Sequence, residues 1–104
     1  MGRKSNSKIW PTNSKIAIYR KDKDALNEYR TDEKGSVKTN KRWYAGNKAT
    51  VILGTAAEYE DRIDVPENVL IWTCVINSRG TLSALTNEGI TYKNVRVTVL
   101  VHVE

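Results

Sequence analysis

Residues Val69–Ile76 read Val-Leu-Ile-Trp-Thr-Cys-Val-Ile. At the period of two of an extended chain, both faces of this segment are apolar. A strand of that kind belongs at the most buried position of a sheet. A second long segment, Ile90–Val103, alternates instead. Val95, Val97, Val99, Val101 and Val103 fall on one face, and Arg96, Thr98 and His102 on the other, with Leu100 as the exception. That pattern predicts a strand with its valines on the core. Ala49–Ala56 is a third β-rich run, and Ile16 and Ile18 share a face of a first strand over Lys15–Arg20.

The connections carry their own signals. Asn77-Ser78-Arg79-Gly80 predicts a turn with glycine at a positive φ, after which Thr81–Leu85 returns antiparallel. Asn87-Glu88-Gly89 predicts the next turn. Between Lys21 and Asn47 aliphatic residues are few. Asp24 is placed to cap a short helix through Ala25–Arg30, supported by Glu28. Asn40 and Lys41 are placed to turn a small hairpin between Ser36–Thr39 and Arg42–Ala45. The acidic stretch from Glu58 to Pro66 reads as a break between strands.

These elements predict a mainly β chain, or α+β with one short helix. A flat sheet would leave an apolar face in water, so the expected forms are a small five-stranded antiparallel barrel or a small sandwich. The order of long loop, medium loop, tight hairpin and short turn over residues 15–103 is similar to the loop rhythm of SH3-like barrels. The last strand is long for a minimal barrel. It is expected to bend, or to project and pair with another copy as a homo-oligomer. With 104 residues the chain suits one domain, here residues 15–104, preceded by a flexible basic arm over residues 1–14. Trp10 is the exception in that arm, either plugging the domain edge or anchoring a partner.

Charge is placed unevenly. Residues 1–48 carry 13 basic and 5 acidic side chains, net +8, while residues 49–104 carry 4 and 7, net −3. Cations that neutralise phosphates release condensed counterions, so a basic half points to nucleic acid or a nucleoprotein as partner. Between Lys38 and Lys48, the cations Lys38, Lys41, Arg42 and Lys48 flank adjacent aromatics, Trp43 and Tyr44. Cations tracking phosphates beside rings that stack on bases is how single-stranded nucleic acid is held. Arg42 also has the fork that fits a phosphate or a guanine edge. Trp43 and Tyr44 point to opposite faces of a strand, so one stacks outward; the alternative packs Trp43 in the core with Tyr44 on its rim. Arg3, Lys4 and Lys8 of the arm add long-range attraction.

Catalytic chemistry is poorly provided for. Glu58, Glu60, Asp61, Asp64 and Glu67 cluster with Arg62 among them, as a solvated loop or an answer to a basic patch on another copy. His102 is the single histidine, and a small ribonuclease would need it as base or acid with a cationic stabiliser. Arg96 shares its expected face, but six residues along a strand is roughly 20 Å. Glu88 or Glu28 is the acid left for pairing with it across the fold. Cys74, beside Trp72, reads as inert packing. One cysteine closes no intramolecular disulfide, and one cysteine with one histidine builds no ordinary zinc site. No cofactor is implied. No apolar run approaches the roughly 18 residues of a membrane helix, and no apolar stretch follows the basic start as in a secretory signal, so no membrane partner and an intracellular location are expected.

Asn and Thr are plentiful, Phe is absent and Met occurs once, at position 1. This composition resembles that of short accessory proteins from AT-rich viral or mobile-element genomes. That resemblance implies an alternative: a module that binds a host protein as an inhibitor, or a virion assembly component. The leading expectation is a non-enzymatic nucleic-acid-binding module, and a ribonuclease- or toxin-like enzyme is the third.

Overall fold

The computed structural model describes residues 8–11, 16–21 and 23–103, with residues 8–11 given by their backbone. The strands are β1 (Lys8–Pro11), β2 (Ile16–Tyr19), β3 (Ala25–Arg30), β4 (Val37–Lys38), β5 (Lys48–Leu53), β6 (Ala57–Glu58), β7 (Arg62–Val65), β8 (Leu70–Val75), β9 (Thr81–Leu82), β10 (Thr86–Asn87), β11 (Ile90–Thr91) and β12 (Arg96–His102). A 3-10 turn spans Arg42–Tyr44. The protein is mainly β, in several antiparallel sheets. The largest has the order β1-β8-β5-β12-β3. A three-stranded sheet has the order β2-β7-β6, and β4-β9 and β10-β11 form two short ribbons. No closed barrel is found among the described residues.

The central sheet is apolar on both faces. Odd-numbered residues of β5 and β12 (Ala49, Val51, Val97, Val99, Val101) join Trp72 and Cys74 of β8 in one cluster. Val37 of β4, Leu82 of β9, Tyr44, Ile76 and Leu85 cover that face. Ile52, Ile71 and Leu100 point the other way and pack against Ile63 and Val65 of β7, with Ile16 and Ile18 of β2 alongside. The three-stranded sheet therefore covers one face, and the ribbons and connecting turns cover the other. Leu100 is not an exception to the alternation of its strand, because its face is covered too. Thr98, expected toward solvent, is buried there and donates to the Gly54 carbonyl at 2.8 Å.

β5, β8 and the turn at residues 77–80 lie where the sequence places them, but the most buried strand is β12, with five of its seven residues buried, and not β8, where three of six are buried and Val75 is exposed. Other expectations are corrected. Ala25–Arg30 is the edge strand β3, paired along its length with β12, and not a helix. Pairing with the valine-rich β12 buries Ala25, Leu26 and Tyr29 on two faces, which overrides a weak helical preference. Asp24 caps no helix; it accepts the Lys21 N–H at 3.0 Å. Arg42–Ala45 forms no hairpin arm, because β4 pairs with β9. Thr81–Leu82 accordingly returns on β4 and not on β8. The acidic stretch contains β7, whose Ile63 and Val65 alternate with Arg62 and Asp64.

The final segment is interrupted. Ile90–Thr91 pairs with Thr86–Asn87, Asn94 adopts a left-handed φ of 54°, and β12 starts at Arg96. β12 is also paired on both sides, by β3 and by β5. Over Arg96–His102 both of its edges are thus taken up largely within the chain. Within the stretch expected as a flexible arm, Lys8–Pro11 pairs with β8 as an edge strand, a position where Pro11 is tolerated.

Candidate functional site

The β4–β9 ribbon is two residues wide on each strand, and its geometry follows from alternation. Val37 and Leu82 point into the core, so their neighbours Lys38 and Thr81 point away from it. On either side of the ribbon the chain turns, through Thr39–Arg42 after β4 and through Asn77–Gly80 before β9. The two turns dock on each other. Thr39 is buried, its backbone N–H donates to the Gly80 carbonyl at 3.2 Å, and its hydroxyl donates to the same oxygen. The Thr39 hydroxyl in turn accepts the Lys41 N–H at 3.1 Å. Gly80 has a φ of +79°, and a Cβ there would lie 2.6 Å from the Lys41 carbonyl oxygen. Glycine is required at this position twice over, by backbone conformation and by the close approach.

The docked turns and the outer surface of the ribbon enclose an open groove of about 570 Å³, lined by Lys38, Asn40, Arg42, Asn77, Arg79 and Thr81. Asn77 Oδ1 accepts the N–H groups of Arg79 at 2.9 Å and Thr81 at 3.0 Å. Its oxygen is committed to the turn, and what the side chain retains for a ligand is its Nδ2 donors. Lys38, Arg42 and Arg79 are donors only. The groove is thus rich in positive charge and in hydrogen-bond donors.

Six arginines lie among the described residues, and their partners decide what each is for. Arg20 pairs with Glu58 at 3.1 Å, Arg62 with Asp64 at 3.0 Å and Asp61 at 3.3 Å, and Arg96 with Glu28 at 4.0 Å. Arg30 donates to the Asn94 carbonyl at 2.9 Å. Arg42 and Arg79 have no side-chain partner among the described residues, and both line the one groove. The groove extends past Lys38 and Arg79 toward Asp32, Glu33, Lys34 and Ser36. Asp32 there is already engaged. The backbone N–H groups of Lys34 and Ser36 hold its carboxyl below the ordinary value, with a smaller contribution from Lys38, whose Nζ is 4.0 Å away.

Next to Arg42, the Trp43 side chain is 73% exposed, while Tyr44 is 7% exposed and packed in the core. The two rings meet edge to face, 5.9 Å between centroids at 64°. The alternative that buried Trp43 and left Tyr44 on the rim is therefore reversed. Lys41 lies with its Nζ 5.6 Å from the Tyr44 ring and does not line the groove. Lys48 starts β5 on the side of Thr50 and Ile52, the face carrying the three-stranded sheet, and is separated from the groove by the central sheet. Arg3 and Lys4 lie outside the described residues, and for Lys8 the backbone alone is described. Of the sequence-selected residues, Lys38 and Arg42 come together in the groove, while Trp43 follows Arg42 in the chain and is not among the residues that line it. Arg79, Asn40, Asn77 and Thr81 were missed. Asn77-Ser78-Arg79-Gly80 signals a turn, and nothing local says which loop that turn will face.

The acidic residues Glu58, Asp61 and Asp64 belong to the β6–β7 layer, across the central sheet from the groove. They hold Arg20 and Arg62 and do not cancel the groove. His102 is on that same far face. Its Nε2 shares a hydrogen bond with the Thr50 hydroxyl at 2.8 Å, and its Nδ1 is 3.6 Å from Asp24 Oδ2. The acid beside His102 is thus Asp24, neither Glu88 nor Glu28. The groove cations do not share its face. Cys74 is buried. Among the described residues no group of three His, Cys, Asp or Glu side chains is arranged to hold a metal ion, and no helix is long and apolar enough to cross a membrane. No protein-family model, curated protein or solved structure matches the chain.

Proposed function

We propose that this protein is a binding module for nucleic acid, engaged through the groove between the turns at residues 39–42 and 77–80. The observation that supports this reading is the distribution of arginine partners: four of the described arginines are spent on the protein itself, and Arg42 and Arg79, unspent, line one groove with Lys38. Unpaired guanidinium groups lining one groove repel each other in the free protein. A phosphodiester relieves that repulsion and accepts their forked donors. Trp43, next to Arg42 in the chain and 73% exposed, offers an apolar surface that phosphate alone would not use.

The test is fluorescence anisotropy of a labelled oligonucleotide titrated with the whole chain at several salt concentrations. Affinity should fall steeply with salt. Replacing Arg42 and Arg79 together by Ala should flatten the log–log slope by about 1.4 to 1.8, since each phosphate neutralised contributes ~0.7–0.9. Binding that ignores salt, or a slope unmoved by the double replacement, ends this reading. A protein partner is the second reading, supported by the large exposure of Tyr19 on the edge strand β2 and of Ile90. Sedimentation of a complex that ignores oligonucleotides and is lost on replacing Tyr19 would favour it.

A further inference from the structure

Resting on the nucleic-acid reading, we infer that the groove takes a single strand with an unpaired base stacked on Trp43, and does not take a duplex. The first ground is the indole itself. Trp43 is 73% exposed beside a cation, on a 3-10 turn whose next residue, Tyr44, is anchored in the core. The edge-to-face contact with Tyr44 engages one side of the indole and leaves most of its surface open. An exposed aromatic ring is a stacking platform, and stacking on it requires a base that is not already stacked on both sides.

The second ground is the shape of what carries the cations. Reading a duplex in its major groove takes an α-helix or a two-stranded ribbon long enough to enter it. Here the cations sit on a three-residue 3-10 turn, a four-residue turn and a ribbon of two residues per strand, too short to follow a groove of a double helix. They are, however, well placed to hold a strand that bends. The third ground is that the site is formed in advance. The Thr39–Gly80 and Asn77–Thr81 hydrogen bonds lock both turns, so the backbone that carries Arg42 and Arg79 needs little ordering on binding.

The experiment titrates the whole chain with three probes of equal phosphate number: oligothymidylate, a duplex, and inorganic polyphosphate. The chain and its Trp43→Ala variant are compared, with circular dichroism confirming that the exposed replacement leaves the fold intact. The single strand should bind the native chain at least tenfold more tightly than the other two. Trp43→Ala should weaken the single strand about 5- to 150-fold, as loss of one base stack does, with the salt slope unchanged and the duplex and polyphosphate affinities unmoved. Equal binding of strand and duplex, or a silent Trp43→Ala, overturns the single-strand inference while leaving nucleic-acid binding in place. Polyphosphate bound as tightly as the strand reduces the groove to a general polyanion site and overturns it as well. Failure of all three probes at low salt removes both this inference and the reading under it.

Discussion

Tyr29 packs against the main core cluster, yet its hydroxyl is buried without a hydrogen-bond partner. Burial raises its pKa, with the nearby Tyr44 adding to the effect. A buried hydroxyl with no partner costs about 1–3 kcal/mol of desolvation, so Tyr29→Phe should leave stability unchanged or raise it by about 1 kcal/mol. Urea unfolding decides this, and a loss above ~1 kcal/mol would mean that the hydroxyl is satisfied after all. Trp72 is the opposite case. It is fully buried, donates its indole N–H to the Thr86 carbonyl at 3.0 Å and meets Tyr92 edge to face. Trp72→Ala should cost about 3–5 kcal/mol, close to the whole stability of a domain this size. A protein that retains a cooperative melt within a few degrees of the native one would contradict the packing described. The two tryptophans Trp43 and Trp72 thus show why residue type alone did not settle roles. One is buried in the core and one is exposed on the surface, and what separates them is which side of a strand or turn each occupies.

At the scale of elements, legibility followed the number of buried faces. β5, β8 and β12 could be read because their apolar residues are dense and are bounded by turns. β7 was hidden because its exposed face is acidic, although Ile63 and Val65 alternate as a half-buried strand requires. β3 was hidden because Ala, Leu and Glu favour a helix locally, and the partner that makes it a strand is more than sixty residues away. The site was legible in the same partial way. Lys38 and Arg42 belong to a charge run, but Arg79 joins them only because two turns dock, and Lys48 leaves them because it sits on the wrong parity of β5. That docking is testable as an element property. Gly80→Ala should push the 39–42 turn off the 77–80 turn, reducing oligonucleotide affinity with its own charges untouched. If affinity survives while NMR shows the turns still docked, Gly80 is not the constraint. The neighbouring turn, residues 32–36, has a pH signature. Asp32 titrates below its ordinary value of 3.8 because it accepts two backbone N–H groups in the folded protein. Its support of the turn is therefore present in full above the ordinary value and is lost as pH falls through the lowered one. Hydrogen exchange at the Lys34 and Ser36 amides should quicken across that acidic window in the native chain, relative to Asp32→Asn. Equal profiles in the two proteins would remove Asp32 as the cause.

At the scale of the molecule, the central sheet separates two electrostatic environments. Its ribbon-covered face presents Lys38, Arg42 and Arg79; its other face carries the β6–β7 layer with Glu58, Asp61 and Asp64. Stacked β layers are ≈ 10 Å apart, so the outer surfaces of a three-layer protein lie roughly 20 Å apart. The Debye length at physiological ionic strength is ≈ 8 Å. An exposed charge on the far layer is therefore largely screened from the groove, while one lining the groove is not. Glu33 and Glu67 are a matched pair for this argument, since both are exposed glutamates and Glu33 alone lines the groove. At physiological salt Glu33→Gln should tighten oligonucleotide binding several-fold, and Glu67→Gln should leave it unchanged. At low salt, where the Debye length grows to ≈ 30 Å, Glu67→Gln should begin to speed association while dissociation stays the same. Stopped-flow association rates at the two salt concentrations measure both effects. Equal responses of the two variants at physiological salt would mean that the ligand does not distinguish the two faces, and the groove would then not be where it binds.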